Sequence, residues 1–402
     1  MGARVSFVSL ALGLVLAVPA LASDSGYIYG RVTTVDRDVY EGELRWGNEE
    51  SFWDDTFNAT KYENENLRYL DRDQLEEIRW ANLGGWDSFV GRRDQSFTHL
   101  FAVRFGDLTR IDVEDDDELE VTFRNGETMR LGDGSNDVGA TVTVLDDKQG
   151  RHAVRWSRIR SVEFVETPSK LARKLGEPLY GTVKSGKYEF TGRIQWDHDE
   201  CLNIDELDGE TRDGDVSLEF EQIAAIRKHR NGALVTLKSG SELYLTGTND
   251  VNDENRGVVV IVPGVGSVKV GWEDFDKVTF AEAPNTGRRY AEYTDGRDLN
   301  GTVVTRDGKY DGRIVFDLDE SRDFEMLHGM NGDTEYLIPF RDIARIKPRG
   351  RSYADVELRA GLIIELEDGQ DVSRKNDGLL VFTGQKKPKY VAWEDVTEVV
   401  FR

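Results

Sequence analysis

The chain has 402 residues and a single cysteine, Cys201, so no internal disulfide can form and stability has to come from packed cores. Proline is scarce, 8 residues against 40 glycines, and strand formers abound, which excludes the disordered and proline-rich classes. Histidine is scarce as well. His99, His152, His198, His229 and His328 share no common position, and there is no Gly-x-Ser-x-Gly, His-Glu-x-x-His or phosphate loop, so no catalytic residues are assigned. Positive charge is in deficit: 52 Lys and Arg face 76 Asp and Glu, a balance of −24. That field opposes binding to nucleic acid or anionic lipid and suits solubility, cationic partners or divalent metal. Beyond residue 22 no apolar run is long enough for an integral membrane segment.

The first residues read as a processing signal. Arg4 precedes an apolar run over 5–18, and Ala20-Leu21-Ala22 is a small-x-small site before Ser23. The expectation is a signal peptide over 1–22, cleavage near Ala22 and a periplasmic or secreted protein. No cysteine follows that site, which argues against a lipid anchor. Cys201 reads as an incidental thiol or a nucleophile; its counterpart in the next repeat is Ser321, with no histidine recurring beside either.

What the chain does contain is repetition. Gly181-Thr182-Val183 and Gly192-Arg193-Ile194-Gln195-Trp196-Asp197 return as Gly301-Thr302-Val303 and Gly312-Arg313-Ile314-Val315-Phe316-Asp317. Gly30-Arg31-Val32 and Gly42-Glu43-Leu44-Arg45-Trp46 are an earlier, weaker copy. A closing phrase, Trp272-Glu273-Asp274-Phe275 followed by Val278-Thr279-Phe280, returns as Trp393-Glu394-Asp395-Val396 followed by Val399-Val400-Phe401. Looser copies begin at Phe105, Trp156, Phe220 and Phe340. The period predicts three tandem repeats of about 115–120 residues: 23–166, 179–282 and 298–402, with linkers at 167–178 and 283–297. Each repeat splits into two halves of short alternating runs between Ser-Gly, Asn-Asp and Pro-Gly turns, predicting five antiparallel strands per half and an all-β fold.

The Val235-x-Leu237-x-x-Gly240 opening strand and the Trp272-Glu273-Asp274-Phe275 break resemble the grammar of SH3-like or Sm-like small barrels. That resemblance implies two small five-stranded barrel halves per repeat, or three larger units in which halves share a sheet. It also implies binding to envelope peptides or glycans.

The part that does not repeat lies at about 51–97. It includes one expected helix over 67–78, capped by Asp71 or Asp73. Five of the eight tryptophans hold repeat positions and read as core: Trp46, Trp156, Trp196, Trp272 and Trp393. The other three, Trp53, Trp80 and Trp86, fall in the insertion. They either anchor it or form an exposed aromatic surface, and are the candidate binding residues.

Carboxylates recur too. Asp197, Asp199 and Glu200 match Asp317, Asp319 and Glu320, and these six are candidate ligands for calcium, the one cofactor considered; the alternative is a solvated hairpin turn. Bases in the linkers, Lys170, Arg173, Lys174, Arg288 and Arg289, read as intramolecular clamps or a solvated short helix, with a docking site for an anionic ligand as the alternative. The leading expectation is an exported, non-enzymatic binding or scaffold protein of the cell envelope with a protein or glycan partner. The rivals are a secreted glycan hydrolase using a carboxylate pair between barrels and a calcium-stiffened structural protein.

Overall fold

The structure is a computed structural model that describes residues 23–61, 64–76, 99–132, 134 and 136–402. The expected signal peptide, with Trp80 and Trp86, lies outside the described residues. The protein is nearly all β, and its described helical segments are short. In lobe 1 the strands are β1 (Tyr29–Thr34), β2 (Val39–Trp46), β3 (Thr56–Lys61), β4 (His99–Arg104), β5 (Leu108–Val113), β6 (Glu118–Phe123), β7 (Thr128–Gly132), β8 (Val142–Asp146), β9 (Gly150–Val154) and β10 (Ile159–Phe164). They pair in the order β4-β3-β7-β6-β5-β10-β1-β2-β8-β9, all antiparallel.

The same order recurs in lobe 3, and in lobe 2 except that the hairpin equivalent to β3 and β4 forms a two-stranded sheet of its own. Tyr180–Ser185 in lobe 2 and Asn300–Thr305 in lobe 3 take the place of β1, each between its hairpin partner and the closing strand of its lobe. One expectation changes here. The two halves of a repeat are not separate five-stranded barrels; they share one sheet, and among the described residues no pairing closes it. The repeated closing phrase is a central strand, β10, held between the first strand of the repeat and the fifth. Five of its six copies open with a single 3-10 turn, at Phe105–Asp107, Trp156–Arg158, Phe220–Gln222, Phe340–Asp342 and Trp393–Asp395.

The repeated glycines face one another across the first hairpin: Gly30 opposite Gly42, Gly181 opposite Gly192, Gly301 opposite Gly312. A Cβ on Gly42, Gly192 or Gly312 would strike a backbone carbonyl of the next strand, at Leu145, Ile261 or Phe382. Only glycine lets the sheet coil that tightly. The coil wraps an aromatic core. Trp46 meets Trp156, Trp196 meets Trp272 and Phe316 meets Trp393, each edge to face, with centroids 6.0, 6.2 and 5.7 Å apart.

The lobes are fused at their turns. Arg45 of lobe 1 reaches Asp205 of lobe 2 at 2.7 Å, and Arg193 of lobe 2 returns to Asp55 at 3.0 Å. Tyr27, Phe52, Leu175, Cys201 and Leu202 fill the apolar seam beside them. Lobe 3 joins lobe 1 through Lys61 with Glu325, Arg341 with Asp107, and stacked Phe123 and Phe324. Strand Gly266–Val270 of lobe 2 pairs with Thr334–Pro339 of lobe 3. The segment between lobes 2 and 3 folds back on lobe 1, where Tyr290 donates to the carbonyl of Leu108 and Tyr293 to Asp54. Of the linker bases, Lys174 pairs with Asp24 and Arg173 reaches the carbonyls of Asp146 and Asp147, whereas Arg289 pairs within its own turn with Glu292.

The insertion begins later than expected. Residues 51–61 belong to the repeat, since β3 and β4 match the hairpins Glu206–Thr211 with Gly214–Glu219 and Met326–Asn331 with Thr334–Pro339. The helix expected over 67–78 is divided: a 3-10 turn over Glu65–Tyr69, then an α-helical stretch from 72. Asp71 Oδ1 accepts the Gln74 N–H and Gln74 caps Asp71 in return. Leu67, Tyr69, Leu70 and Leu75 lie on lobe 3 against Val315, Leu318 and Leu380.

Replacing Trp46 by Ala should lower stability by about 3–5 kcal/mol in urea unfolding, because a fully buried indole leaves a cavity. Arg193→Ala should cost about 3–5 kcal/mol by stranding buried Asp55. Arg31→Ala, at an exposed pair, should cost under about 1 kcal/mol. Equal costs for the two arginines would refute the seam as described.

Candidate functional site

The chemistry of the molecule concentrates at the turn that follows the second strand of each lobe. Each turn is closed by the aromatic N–H donating to a glutamate carbonyl: Trp46 to Glu50 at 2.8 Å, Trp196 to Glu200 at 2.7 Å, Phe316 to Glu320 at 2.7 Å. The glutamate side chain turns inward and meets an aspartate from the recurring Asn-Asp-Val or Gln-Asp-Val tripeptide. The pairs are Glu50 with Asp137, Glu200 with Asp250 and Glu320 with Asp371.

Each aspartate anchors backbone. Asp137 accepts the Asn58 N–H at 2.6 Å, Asp250 the Asp208 N–H at 2.7 Å and Asp371 the His328 N–H at 2.5 Å. Their carbonyls receive the indoles of Trp46 and Trp196, a bond that Phe316 cannot make. Burial disfavours the charged forms. Asp137 rises to about 7, Asp250 to about 6 and Glu200 to about 9, with neighbouring acids adding to the effect. Glu50 and Glu320 are pushed well up for the same reasons.

The lobes differ at the first turn position. Lobe 1 has Gly47. Lobe 2 has Asp197, and Arg256 supplies its N–H and guanidinium to that carboxylate while also pairing with Asp199. Lobe 3 has Asp317, and Asp377 stands at the place of Arg256, donating its N–H to Asp317. Asp317, Glu320 and Asp371, all buried, offer carboxylate oxygens within 4.8 Å of one another.

Of the six acids singled out from sequence, Asp197 and Asp199 therefore have an arginine where a metal was expected. Asp319 points away from the cluster to Lys61 at 3.2 Å. Asp317 and Glu320 do come together. Asp371 was not singled out, although its tripeptide Gln370-Asp371-Val372 repeats Asn136-Asp137-Val138 and Asn249-Asp250-Val251.

Trp53 needs a correction. It is fully buried, tilted against Tyr290 with centroids 4.3 Å apart, and donates its indole N–H to Thr167. It anchors the linkers to lobe 1 and has no face for a partner. Cys201 is buried beside Ser51, and burial pushes its thiol up to about 12, so it is a seam residue and not a nucleophile. No described helix is long and apolar enough to cross a membrane.

A cavity of about 270 Å³ lies where the three lobes converge. Asn58 and Asn136 of lobe 1, Gln195 and Lys269 of lobe 2, and Glu335 and Leu337 of lobe 3 all face it. Comparison of the chain with protein-family models, curated proteins and solved structures found no match.

The buried acids give stability an unusual pH dependence. A carboxyl raised in the fold, as Glu43 at about 8 and Asp137 and Glu200 are, stabilises fully below its unfolded value and loses that contribution as pH rises through the folded one. Asp54 works the other way: burial opposes its charge, but Arg193 and Arg104 outweigh that and hold it at about 2, so its contribution disappears only in strong acid. Stability in chelator should therefore fall from about pH 5 to pH 9, by up to about 1.4 kcal/mol per unit for each group in transition. Glu43→Gln should flatten the slope. A curve that rises over this range would contradict the assignment.

Proposed function

We propose that this chain is an exported, non-enzymatic scaffold of the cell envelope that receives a protein or glycan partner at the cleft between its lobes. The observation that supports the reading is the cleft's construction: amide, ammonium and carboxylate groups from three lobes converge on one cavity with an apolar floor of Val259 and Ile261. Sites that bind without chemistry combine apolar surface with a few fixed polar groups in this way.

A hydrolase reading has one observation in its favour, because Glu50 and Asp137 border the same cleft with raised proton affinity. Against it, the same pair recurs in lobes 2 and 3, each time with the aspartate spent on a backbone N–H. A pair used three times for the same hydrogen bond is a building element.

Two variants separate the classes. Lys269→Glu should weaken recovery of the partner from envelope extract at least tenfold while leaving the melting temperature within a few degrees. Glu50→Gln should leave a panel of envelope polysaccharides as uncleaved as the wild type does. Hydrolysis by the wild type that Glu50→Gln abolishes would replace the scaffold reading with the enzymatic one.

A further inference from the structure

The turn after the second strand poses one electrostatic problem three times, and lobe 3 resolves it with neither of the means the other lobes use. Lobe 1 avoids a third acid through Gly47. Lobe 2 accepts Asp197 and sets Arg256 against it. Lobe 3 accepts Asp317 and sets another acid, Asp377, in the arginine's place. Asp317 is 0% exposed and Glu320 7%, yet among the described residues Asp317 Oδ2 and Glu320 Oε2 have no hydrogen-bond partner. Buried carboxylate oxygens without partners, aimed into a cluster of like charge, require a compensating positive species.

We propose that lobe 3 binds one divalent cation of the calcium class through Asp317, Glu320 and Asp371, with Asp377 beside them. The donor set is entirely oxygen, which selects a hard cation; no imidazole or thiolate is among the clustered groups to favour zinc or copper. The three carboxylate oxygens all lie within 4.8 Å of one another, close enough to share one ion of the calcium class, whose oxygen ligands sit at about 2.3–2.6 Å.

The turn keeps the backbone of its lobe 2 counterpart, where Asp197 and His198 have φ of 50° and 58°. Asp317 and Leu318 both take left-handed conformations, with φ of 49° and 57°, which is costly for leucine. That conformation sends successive side chains to opposite sides. Asp317 and Glu320 face the cluster, while Leu318 packs under Leu70 and Asp319 meets Lys61. The Leu318 carbonyl also accepts the Asn66 amide at 3.1 Å. The cation thus holds from within the turn on which the lobe 1 insertion rests. The site is separate from the inter-lobe cleft and does not depend on the scaffold reading.

The test uses the full chain after chelator treatment, titrated calorimetrically with calcium chloride and then with magnesium chloride. One calcium per chain is expected, with magnesium at least tenfold weaker and the melting temperature raised by calcium. Asp317→Asn should weaken uptake at least tenfold, whereas Asp250→Asn, the equivalent of Asp371 in lobe 2, should leave it unchanged. Because Asp317 also accepts the Asp377 N–H within the turn, Asp377→Arg supplies a second arm. It imports the solution of lobe 2 and should fold, melt at a temperature indifferent to chelator and take up no calcium. Absence of uptake by the wild type at millimolar calcium would overturn the proposal, as would undiminished uptake in Asp377→Arg.

Discussion

The structure depends on one carboxylate per lobe, five residues beyond the glutamate that closes the turn. Asp55 accepts the N–H groups of Ser51 and Phe52, Asp205 those of Cys201 and Leu202, and Glu325 those of Ser321 and Arg322. Each of these anions is buried or nearly so, and each takes its cation from another lobe: Arg193, Arg45 and Lys61. A buried carboxylate left without its base is strongly destabilising. No lobe therefore completes its own turn until a neighbour arrives, and the three sheets behave as one body. The same contact answers how a chain with a balance of −24 stays compact: bases are few, and several of them are spent at seams between lobes.

The repeated Trp phrase has its place in the same economy of contacts. It forms a central strand flanked on both sides, with its aromatic turned into the core and away from any partner. Because β10 lies between β1 and β5, strands β3 to β7 form one contiguous flank of the sheet. The other flank combines the end of the repeat with its beginning. The first and last strands of a lobe thus pair side by side within its sheet, and strand Gly266–Val270 is left to extend the sheet into lobe 3.

Much of this was legible from residues. Alternating apolar positions and turn dipeptides locate strands because a sheet buried on one face needs that period. Recurring aromatics marked core because equivalent positions in a repeat share an environment. Strand order was not legible: a split into two equal halves and the observed split, two strands later, have the same local pattern and differ only in long-range pairing. The boundary of the insertion was misplaced because Thr56-Phe57-Asn58-Ala59-Thr60-Lys61 shares no identical residue with Glu206–Thr211 at matching positions, although both make the same strand. Trp53 looked exceptional for the same reason; the partner that buries it, Tyr290, is supplied by a distant linker. Asp371 joins Asp317 and Glu320 only through the fold, since some fifty residues separate them and no spacing rule covers that distance.

The three inner turns show why acids persist in these interiors. Asp137, Asp250 and Asp371 each hold a backbone N–H that would otherwise be stranded, so the carboxyl itself is required by the fold. Its charge is not. Lobe 1 faces it with Gly47, and lobe 2 with Asp197 and an arginine. Because the hydrogen bond is common to all lobes and the compensation is local, the position facing it can change from glycine to aspartate, and its neighbour from arginine to aspartate, without altering strand order. Divergence of chemistry is therefore cheapest at this turn, where the architecture already supplies a buried acid and leaves open how its charge is met.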